Sequence, residues 1–360
     1  MKPIVKIGAL IIALAMGALL FLNPSGCNTD IKRDKGNRVK SKKECSIRAL
    51  NGTVSSGEQI EYRFKNLSKK VALDSIVMID ETPVLEGAIG TYDLGLGRHD
   101  IRGRFIYSDS SFCESSWSVE ILSDIEPVRM GYSVVSMHDH SATSYTQGLL
   151  FHNGRLYEST GQYGESLIHH YDPKRRDYTD RVDLSMDYFG EGITILDDKL
   201  YQLTYKSRKG FVYDIGSMQR IGEFDLPSAE GWGLTDDGSN LIMSDGTNTL
   251  IYLDPVTFEV VRRMPVYDNK EKVNALNELE FVDGFVYANL YGATIIAKID
   301  SNTGKVVEYI DCRGILAPEL QNPDQDVFNG IAYNPERRTF YLTGKYWPKL
   351  FEVRFIPKAS

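Results

Sequence analysis

Several motifs that mark common enzyme classes are missing from this chain of 360 residues. It has no Gly-x-Ser-x-Gly nucleophile elbow, no His-Glu-x-x-His metal motif, no Walker loop and no Gly-x-Gly-x-x-Gly dinucleotide loop. Cysteine is scarce, with 4 residues whose spacings match no zinc pattern. Basic residues number 41 against 49 acidic ones, a net charge of −8, so the charge balance does not indicate nucleic-acid binding. The rest of the composition is that of an ordinary globular protein, long enough for two domains.

The N-terminus has the pattern of a secretory leader. Lys2 and Lys6 flank or enter an apolar run from Ile7 to Leu22, which is typical of a signal peptide. The run leads to Ser25-Gly26-Cys27, which resembles the end of a bacterial lipobox, although Pro24 departs from the usual small or aliphatic residue. We therefore expect residues 1–27 to be a signal peptide and Cys27 to be lipidated. The alternative is an uncleaved membrane anchor, for which the run is slightly shorter than the roughly 20 residues that span a bilayer.

Both interpretations predict an exported protein of the bacterial cell envelope. We expect it to be lipid-anchored and to face the periplasm or the cell exterior. Residues 31–43 carry seven Lys or Arg and one acidic residue, Asp34. We interpret residues 28–43 as a solvated basic tether between the membrane and the first domain, with binding of anionic lipid headgroups as the alternative.

Residues 44–125 are predicted to form a small Ig-like β-sandwich. Segments of alternating apolar and polar residues, such as Gln59–Phe64 and Trp117–Ile121, are separated by turns such as Asn51-Gly52. No combination of catalytic residue types occurs in this segment. It is therefore predicted to be a spacer or a docking module.

The cysteines fit an exported protein, in which disulfides are permitted. Cys45 and Cys113 lie at opposite ends of the predicted sandwich. The sequence is compatible with a disulfide between them and, equally, with two free thiols. Cys312 lies beside apolar residues and is expected to be a small buried side chain.

Residues 128–357 contain a repeat. Five short apolar strands each begin with a small kernel, in most cases a polar residue, a glycine and an apolar residue, and a turn and a second strand follow each kernel. The central kernel residues lie 44, 41, 47 and 50 positions apart, a spacing typical of β-propellers. We therefore predict an all-β fold with a five-bladed β-propeller after the sandwich. The kernels are Gln147-Gly148-Leu149, Glu191-Gly192-Ile193, Trp232-Gly233-Leu234, Leu279-Glu280-Phe281 and Asn329-Gly330-Ile331.

A strand before the first kernel is predicted to close the ring. Tyr132–Ser136 alternates polar and apolar residues, and propellers often use an N-terminal strand to complete the last blade, because an open fan would expose two edges. We expect it to pair beside Leu350–Val353.

Polar and aromatic side chains cluster at the blade openings. Because the first strand of each blade lines the central channel, these side chains are predicted to converge on one pocket, although propeller channels are polar and wet in any case. His138-Asp139-His140 is predicted to be a polar loop, and His169-His170 to lie on a strand surface. The clustered residues are Gln147, Glu191, Trp232, Asn277, Glu278 and Asn329, with Tyr145, Tyr205, Tyr291, Lys345, Tyr346 and Trp347 nearby.

Eight ordered motifs between Tyr132 and Phe355 strongly resemble the plant and bacterial glutaminyl-peptide cyclotransferases. The resemblance implies a five-bladed propeller that converts an N-terminal Gln into pyroglutamate and releases ammonia, with no metal and no cofactor. The motifs include Tyr145-Thr146-Gln147-Gly148-Leu149, Phe189-Gly190-Glu191-Gly192, Glu230-Gly231-Trp232-Gly233, Leu276-Asn277-Glu278, Phe328-Asn329-Gly330 and Leu342-Thr343-Gly344-Lys345-Tyr346-Trp347.

The resemblance also implies roles for individual residues. Glu191 matches the catalytic acid of the family, and Trp232 matches its pocket tryptophan. The family more often has Phe, Trp and Trp where this chain has Tyr145, Tyr205 and Tyr291, so the substrate pocket is expected to differ in size and polarity. The residues that match the polar pocket residues of the family are Gln147, Asn277 and Lys345.

Two other functions remain open at this stage. One is a metal-dependent propeller enzyme such as a lactonase, in which Glu191, Asn277 and Glu278 would supply part of a cation cage. The other is a tethered, non-catalytic propeller that binds peptides or envelope partners. The expected partners are the membrane and a peptide or protein with an N-terminal Gln, whose physiological identity the sequence does not specify. The expected state is a monomer.

Overall fold

The computed structural model describes residues 44–84, 88–175 and 177–358. The predicted signal peptide, Cys27 and the basic tether lie outside the described residues. The described part is built of β-strands, with a single 3₁₀ turn at Pro318–Leu320. It contains no helix of the length and apolar character that a membrane crossing requires.

The N-terminal part is a two-sheet sandwich. Strands β1, β3 and β6 form one sheet, and the order β2-β8-β7-β4-β5 forms the other. Alternate residues of the strands point inward, and Phe64 and Phe105 stack across the two sheets with ring centroids 4.0 Å apart. The strands are β1 (Cys45–Ala49), β2 (Thr53–Ser55), β3 (Gln59–Asn66), β4 (Ala72–Ile79), β5 (Thr82–Val84), β6 (Ala88–Gly90), β7 (Gly97–Tyr107) and β8 (Phe112–Leu122).

Cys45 and Cys113 form a disulfide with Cα atoms 6.0 Å apart. Cys45 is in β1 and Cys113 is in β8, so the disulfide joins the two sheets. Cys312 is a free thiol and is fully buried, as the sequence predicts.

Twenty further strands build five four-stranded blades. The first blade is β10 to β13, and the fifth combines β26 to β28 with β9. The strands are β9 (Val128–Asp139), β10 (Thr146–His152), β11 (Arg155–Thr160), β12 (Leu167–Tyr171), β13 (Thr179–Asp183), β14 (Gly190–Leu196), β15 (Lys199–Thr204), β16 (Lys209–Asp214), β17 (Arg220–Asp225), β18 (Leu234–Asp236), β19 (Leu241–Met243), β20 (Thr249–Leu253), β21 (Val260–Pro265), β22 (Leu276–Val282), β23 (Phe285–Leu290), β24 (Ile295–Asp300), β25 (Val306–Asp311), β26 (Phe328–Asn334), β27 (Thr339–Gly344) and β28 (Lys349–Pro357).

The turn residues of the repeat have the backbone conformation that tight hairpins need. Asn153 and Gly154 have φ of 48° and 80°, and Asp283 and Gly284 have φ of 51° and 83°. Two successive residues with positive φ are characteristic of the type I′ turn, whose twist matches the flanking strands. These turns join the first two strands of the first and fourth blades.

Strand β9 closes the ring as the sequence predicts. It pairs antiparallel with β28, with Ser136 opposite Glu352 and His138 opposite Leu350. Its first residues also pair in parallel with β25 of the fourth blade. Buried apolar clusters fill the spaces between successive blades, for example Leu250, Leu276 and Val286 between the third and fourth blades.

Candidate active site

The inner strand of four blades contains a β-bulge at the mouth of the channel. The strand register shifts between Thr146 and Gly148, between Gly190 and Ile193, between Leu276 and Leu279, and between Phe328 and Ile331. A bulge re-aims the side chain of its extra residue. The side chains placed in this way are Gln147, Glu191, Asn277 and Asn329, and all four are buried.

The fourth kernel predicted from the sequence is wrong by two residues. The bulge of β22 places Asn277-Glu278-Leu279, and not Leu279-Glu280-Phe281, at the position of the other kernels. Leu279 packs into the apolar layer between blades. The repeats are misaligned at this blade when only the sequence is compared, because Glu278 occupies the position that is a glycine in the other four blades.

The kernel glycines let the inner strands approach one another closely. A Cβ atom on Gly192 would lie 2.4 Å from the backbone nitrogen of Leu234, and one on Gly233 would lie 1.9 Å from the carbonyl oxygen of Asn277. Only glycine accommodates such an approach. Glu278 instead spans the channel, and its two carboxyl oxygens accept hydrogen bonds from the backbone nitrogens of Leu149 (3.1 Å) and Ile331 (2.7 Å).

Part of the pocket wall comes from residues that directly follow the second strands of the second, fourth and fifth blades. Backbone hydrogen bonds fix these ends: Tyr205 donates to the carbonyl oxygen of Phe189 (3.0 Å), and Lys345 donates to that of Val327 (2.9 Å). Tyr291 is fixed in the same way, because its amide donates to the carbonyl oxygen of Ala275 (2.9 Å). These hydrogen bonds tie the wall residues to the segments that lead into the inner strands.

The bulge side chains Gln147, Glu191 and Asn277 form the floor of the pocket. Floor and walls surround a cavity of about 240 Å³. The structure brings all eight predicted catalytic and substrate-binding residues to this cavity, together with Phe189. The lining residues are Tyr145, Gln147, Phe189, Glu191, Tyr205, Trp232, Asn277, Tyr291 and Lys345.

Glu191 lies at the floor of the cavity, where its side chain is only 3% exposed. The Nε2 atom of Gln147 donates a hydrogen bond to its Oε1 atom at 2.9 Å. Burial raises the pKa of Glu191 well above its ordinary value, while Lys345 lowers it and Glu230 raises it further. A carboxyl group whose pKa is raised in this way keeps its proton to higher pH than an ordinary Glu and is therefore suited to proton transfer.

Lys345 provides a buried positive charge beside this carboxyl group. Burial lowers the pKa of Lys345, and the charges of Glu191 and Asp326 oppose that effect. The Nζ atom lies 4.5 Å from the ring centroid of Tyr145 and 5.4 Å from that of Tyr291. The electron-rich ring faces therefore help to hold the cation in a site with little water.

Aromatic side chains contact one another around the cavity. The rings of Trp232 and Tyr291 meet edge to face at 5.4 Å, and Phe189 is tilted against Tyr205 at 5.6 Å. The hydroxyl group of Tyr145 donates a hydrogen bond to Asp326 (3.3 Å). The cavity therefore offers apolar walls around a few polar groups at its floor.

Three functional candidates were missed by the sequence reasoning. Phe189 is a wall residue, and its position two residues before Glu191 in a quoted motif was the available signal. Glu230 accepts a hydrogen bond from the indole nitrogen of Trp232 (3.0 Å), and Asp326 holds Tyr145. Glu230 stands in a quoted motif two residues before Trp232, which was its available signal. Asp326 had no sequence signal, because it lies on a loop whose path depends on the fold.

The geometry gives no support to a cation cage. Glu278 directs both carboxyl oxygens at backbone amides. Burial raises its pKa well above the ordinary value, which disfavours the anion that a cation would need. Within residues 44–84, 88–175 and 177–358, no group of three or more His, Cys, Asp or Glu side chains is arranged to hold a metal ion.

The histidine predictions need correction. His169 and His170 are buried in β12 and do not lie on a strand surface. His169 contacts Glu158 and the ring of Tyr178, and His170 stacks on Tyr157 and faces Asp180. His140 is also buried, although it lies in the segment predicted to be a polar loop. Its ring faces Glu158 in β11 at 3.1 Å.

The chain is similar to known proteins over about two thirds of its length. A family model described as glutamine cyclotransferase matches residues 110–355. The chain is 36% identical over 234 residues to an Arabidopsis thaliana glutaminyl-peptide cyclotransferase, which covers 63% of this chain and 72% of that protein. It is also similar to the crystal structure of Myxococcus xanthus glutaminyl cyclase, with 33% identity and a TM-score of 0.60, covering 65% of this chain and 100% of that one.

Proposed function

This chain belongs to the glutamine cyclotransferase family, and we propose that it converts the N-terminal glutamine of peptides or proteins into pyroglutamate with release of ammonia. The reaction joins the α-amine to the δ-carbonyl carbon of the same residue. It therefore needs one residue held in a folded conformation, and no second substrate.

The size of the cavity supports a single-residue substrate site. Its volume of about 240 Å³ is below the range of roughly 300–1,000 Å³ that is usual for drug-sized ligands. Apolar walls surround the methylene stem, and Gln147, Asn277 and Lys345 lie where they can meet the amide group. The remainder of the peptide would leave through the mouth beside Tyr291, which is 45% exposed.

Glu191 is proposed to transfer the proton between the two nitrogen atoms. The neutral α-amine attacks the δ-carbonyl carbon and forms the new C–N bond, and Glu191 takes the proton that the amine loses. Glu191 then gives this proton to the amide nitrogen as the old C–N bond breaks and ammonia leaves. The buried carboxyl group with a raised pKa, held by Gln147 beside Lys345, is the observation that carries this proposal.

The other polar groups are proposed to stabilise the tetrahedral intermediate. Gln147 and Asn277 would hydrogen-bond the substrate amide or the developing oxyanion. Lys345 would stabilise negative charge on the intermediate. The rings of Trp232 and Tyr291 would exclude water, which strengthens these interactions. In this mechanism the protein groups do all the proton transfer, and metal is not required.

The test is ammonia release from a Gln-initiated dipeptide by the purified protein, with and without EDTA. We expect stoichiometric ammonia and pyroglutamyl product and equal rates in both samples. A rate that EDTA abolishes and a divalent cation restores would replace this mechanism with a metal-dependent one.

The three tyrosines at positions 145, 205 and 291 favour one alternative, a propeller that binds peptides without turnover. Peptide binding with no ammonia release would establish that alternative.

We also propose that the enzyme is exported as a monomer and anchored through a lipid on Cys27. The basic and apolar N-terminal pattern supports this proposal. Radiolabelled fatty acid should be incorporated into the full chain expressed in bacteria and should be absent from Cys27→Ala. Equal incorporation into both proteins would contradict it.

A further inference from the structure

His140 is held between two hydrogen-bond acceptors. Its Nδ1 atom lies 2.7 Å from the carbonyl oxygen of Trp347, and its Nε2 atom lies 3.1 Å from Oε1 of Glu158. The side chains of both His140 and Glu158 are completely buried. A carbonyl oxygen can only accept, so Nδ1 must carry a proton.

The second nitrogen of His140 must also be protonated while Glu158 is ionised. Glu158 accepts two further hydrogen bonds, from the hydroxyl group of Thr146 (2.7 Å) and from Nε2 of His169 (3.1 Å). Burial opposes ionisation of Glu158, but the two histidines prevail and hold its pKa well below the ordinary value. His140 and Glu158 are therefore an imidazolium–carboxylate pair.

The pair is connected to both sides of the active site. Thr146 directly precedes Gln147, whose amide holds Glu191. On the other side, Trp347 belongs to the turn that begins at Lys345. His140 fixes this turn a second time, because its backbone amide donates to the carbonyl oxygen of Pro348 (2.9 Å).

We propose that His140 and Glu158 are positioning residues that hold Gln147 and Lys345 in place, and that loss of the His140 proton at alkaline pH releases this constraint. The inference rests on the proposed function for its effect on activity. Neither residue touches the cavity that holds the substrate, so both act through their neighbours.

The surroundings of His140 explain why its charge matters. The charged or titratable groups that face it include Glu158 from β11 and, beyond that carboxylate, His169 from β12. The neighbouring Asp139 is paired with Lys349 (2.6 Å) on β28. If Nε2 loses its proton, its lone pair faces a buried carboxylate at 3.1 Å, and either the hydrogen bond to Trp347 or the contact with Glu158 is lost.

The experiment compares His140→Gln, Glu158→Gln and the double variant, with His170→Gln as the control. His170 is on the same strand as His169 and also contacts a carboxylate, but its partner Asp180 is largely exposed and does not contact Thr146, Trp347 or the cavity. We expect each single variant to lower kcat about tenfold with little change in KM, because small misplacements of catalytic groups are costly. In the double variant, kcat should fall by less than the product of the two single-variant decreases, since two amides can pair with each other.

The pH profile separates positioning from simple loss of stability. In the wild type, kcat at saturating substrate should fall reversibly on the alkaline side. This fall should be weakened in His140→Gln and unchanged in His170→Gln, because any part that comes from deprotonation of Lys345 remains in both variants. An unchanged alkaline fall in a folded His140→Gln would overturn the proposal.

A second measurement does not depend on activity. Imidazole ¹⁵N NMR of the wild type should show both ring nitrogens of His140 protonated at neutral pH. A neutral His140 ring there would overturn the inference even if the protein is an active cyclase. Conversely, absence of cyclase activity with a doubly protonated His140 would count against the proposed function alone.

Discussion

In the proposed mechanism, the chemistry of the pocket depends on the carboxyl group of Glu191, whose pKa is subject to opposing influences. Burial raises the pKa of Glu191, and the positive charge of Lys345 lowers it. A carboxyl group that must accept a proton and then release it works best when its pKa is close to the working pH. We infer that Lys345 tunes Glu191 as well as stabilising the intermediate.

Replacement of Lys345 tests this tuning. In Lys345→Met the pKa of Glu191 should rise further, because the stabilising charge is gone and burial remains. The base form of Glu191 then appears only at higher pH, so the acidic limb of the kcat/KM profile should shift towards alkaline pH. The rate at the optimum should also fall about tenfold or more, since a charged group at the developing oxyanion is lost.

The matched control is Lys298→Met, which removes a cation from the fourth blade, where Lys298 pairs with Glu308 at 3.0 Å. Its pH profile should match that of the wild type. An acidic limb that does not move in Lys345→Met would show that Lys345 does not act on Glu191.

Residue types near the repeated kernels predicted part of the pocket. Gln147 and Glu191 lie in comparable positions of the first two repeats, so their convergence follows from the repeat itself. Asn277 lies two residues before the kernel predicted for the fourth blade, and its role came from the resemblance to the family. Glu278, Asn329, Tyr346 and Trp347 were also expected at the pocket and do not line the cavity. Asp326 and His140 could not be predicted in this way. They lie outside the repeat, and their partners are separated from them in sequence by 181 residues for Asp326 with Tyr145 and by 207 for His140 with Trp347.

At the scale of the strands, the kernel glycines determine how closely the blades approach the axis. Gly233→Ala would place a methyl group 1.9 Å from the carbonyl oxygen of Asn277, which is backbone and cannot move aside. We expect this variant to be destabilised by about 3 kcal/mol or more, in the range of strong overpacking, and to lose activity because Asn277 is displaced. Urea unfolding and ammonia release measure the two effects.

Gly222→Ala is the comparison for this variant. Its Cβ would meet the side chain of Val212 at 3.7 Å, which is ordinary contact, and its backbone φ is not positive. Stability and rate should therefore stay close to those of the wild type. Equal tolerance of both substitutions would contradict the close approach of the third and fourth blades.

The order of strands could be predicted well from the sequence, and the fourth kernel could not. Closure by β9 follows from a general property of propellers, which must hide the edges of the first and last blades. The fourth kernel has Glu278 in place of glycine, and only the position of the bulge shows that this residue takes the place of a glycine.

A partly buried carboxyl group on β22, that of Glu280, makes the folding stability depend on pH. Glu280 accepts a hydrogen bond from the backbone nitrogen of Tyr333 (2.8 Å), and burial raises its pKa to about 8. Above pH 4.5 the unfolded chain releases this proton while the folded chain retains it until about pH 8. Folding stability is therefore lost as pH rises through this window, by on the order of 5 kcal/mol.

Glu280→Gln removes this dependence, because the amide stays neutral and its oxygen can still accept from Tyr333. In urea unfolding the variant should match the wild type near pH 4.5 and exceed its stability by a few kcal/mol at pH 8.5. Glu308→Gln, at a half-exposed site, is the control and should show no such divergence. A constant difference between Glu280→Gln and wild type at both pH values would refute a raised pKa.

At the scale of the whole molecule, the sandwich and the propeller contact each other directly. The hydroxyl group of Tyr267 donates to Glu120 (2.9 Å), and Lys305 pairs with Asp124 (2.7 Å). The pocket residues all belong to the propeller. We therefore expect the sandwich to affect stability and leave the chemical step unchanged.

The disulfide provides a test of this separation. It links residues 68 positions apart, and a loop of that length contributes on the order of 4 kcal/mol in the chain-entropy model. The double variant Cys45→Ser/Cys113→Ser should unfold at lower urea concentration while kcat and KM of the folded protein stay unchanged. A parallel loss of kcat would show that the sandwich supports the active site.

The most direct test of the account is the rate of ammonia release from a Gln-initiated dipeptide by Glu191→Gln. Glu280→Gln is the matched control, because it also replaces a carboxyl group with a raised pKa on an inner strand, but one that does not line the cavity. We predict that kcat falls by about 10² or more in Glu191→Gln, with the fold retained, and stays near the wild-type value in Glu280→Gln. Near-wild-type turnover by a folded Glu191→Gln protein would contradict the assignment of Glu191 as the group that transfers the proton.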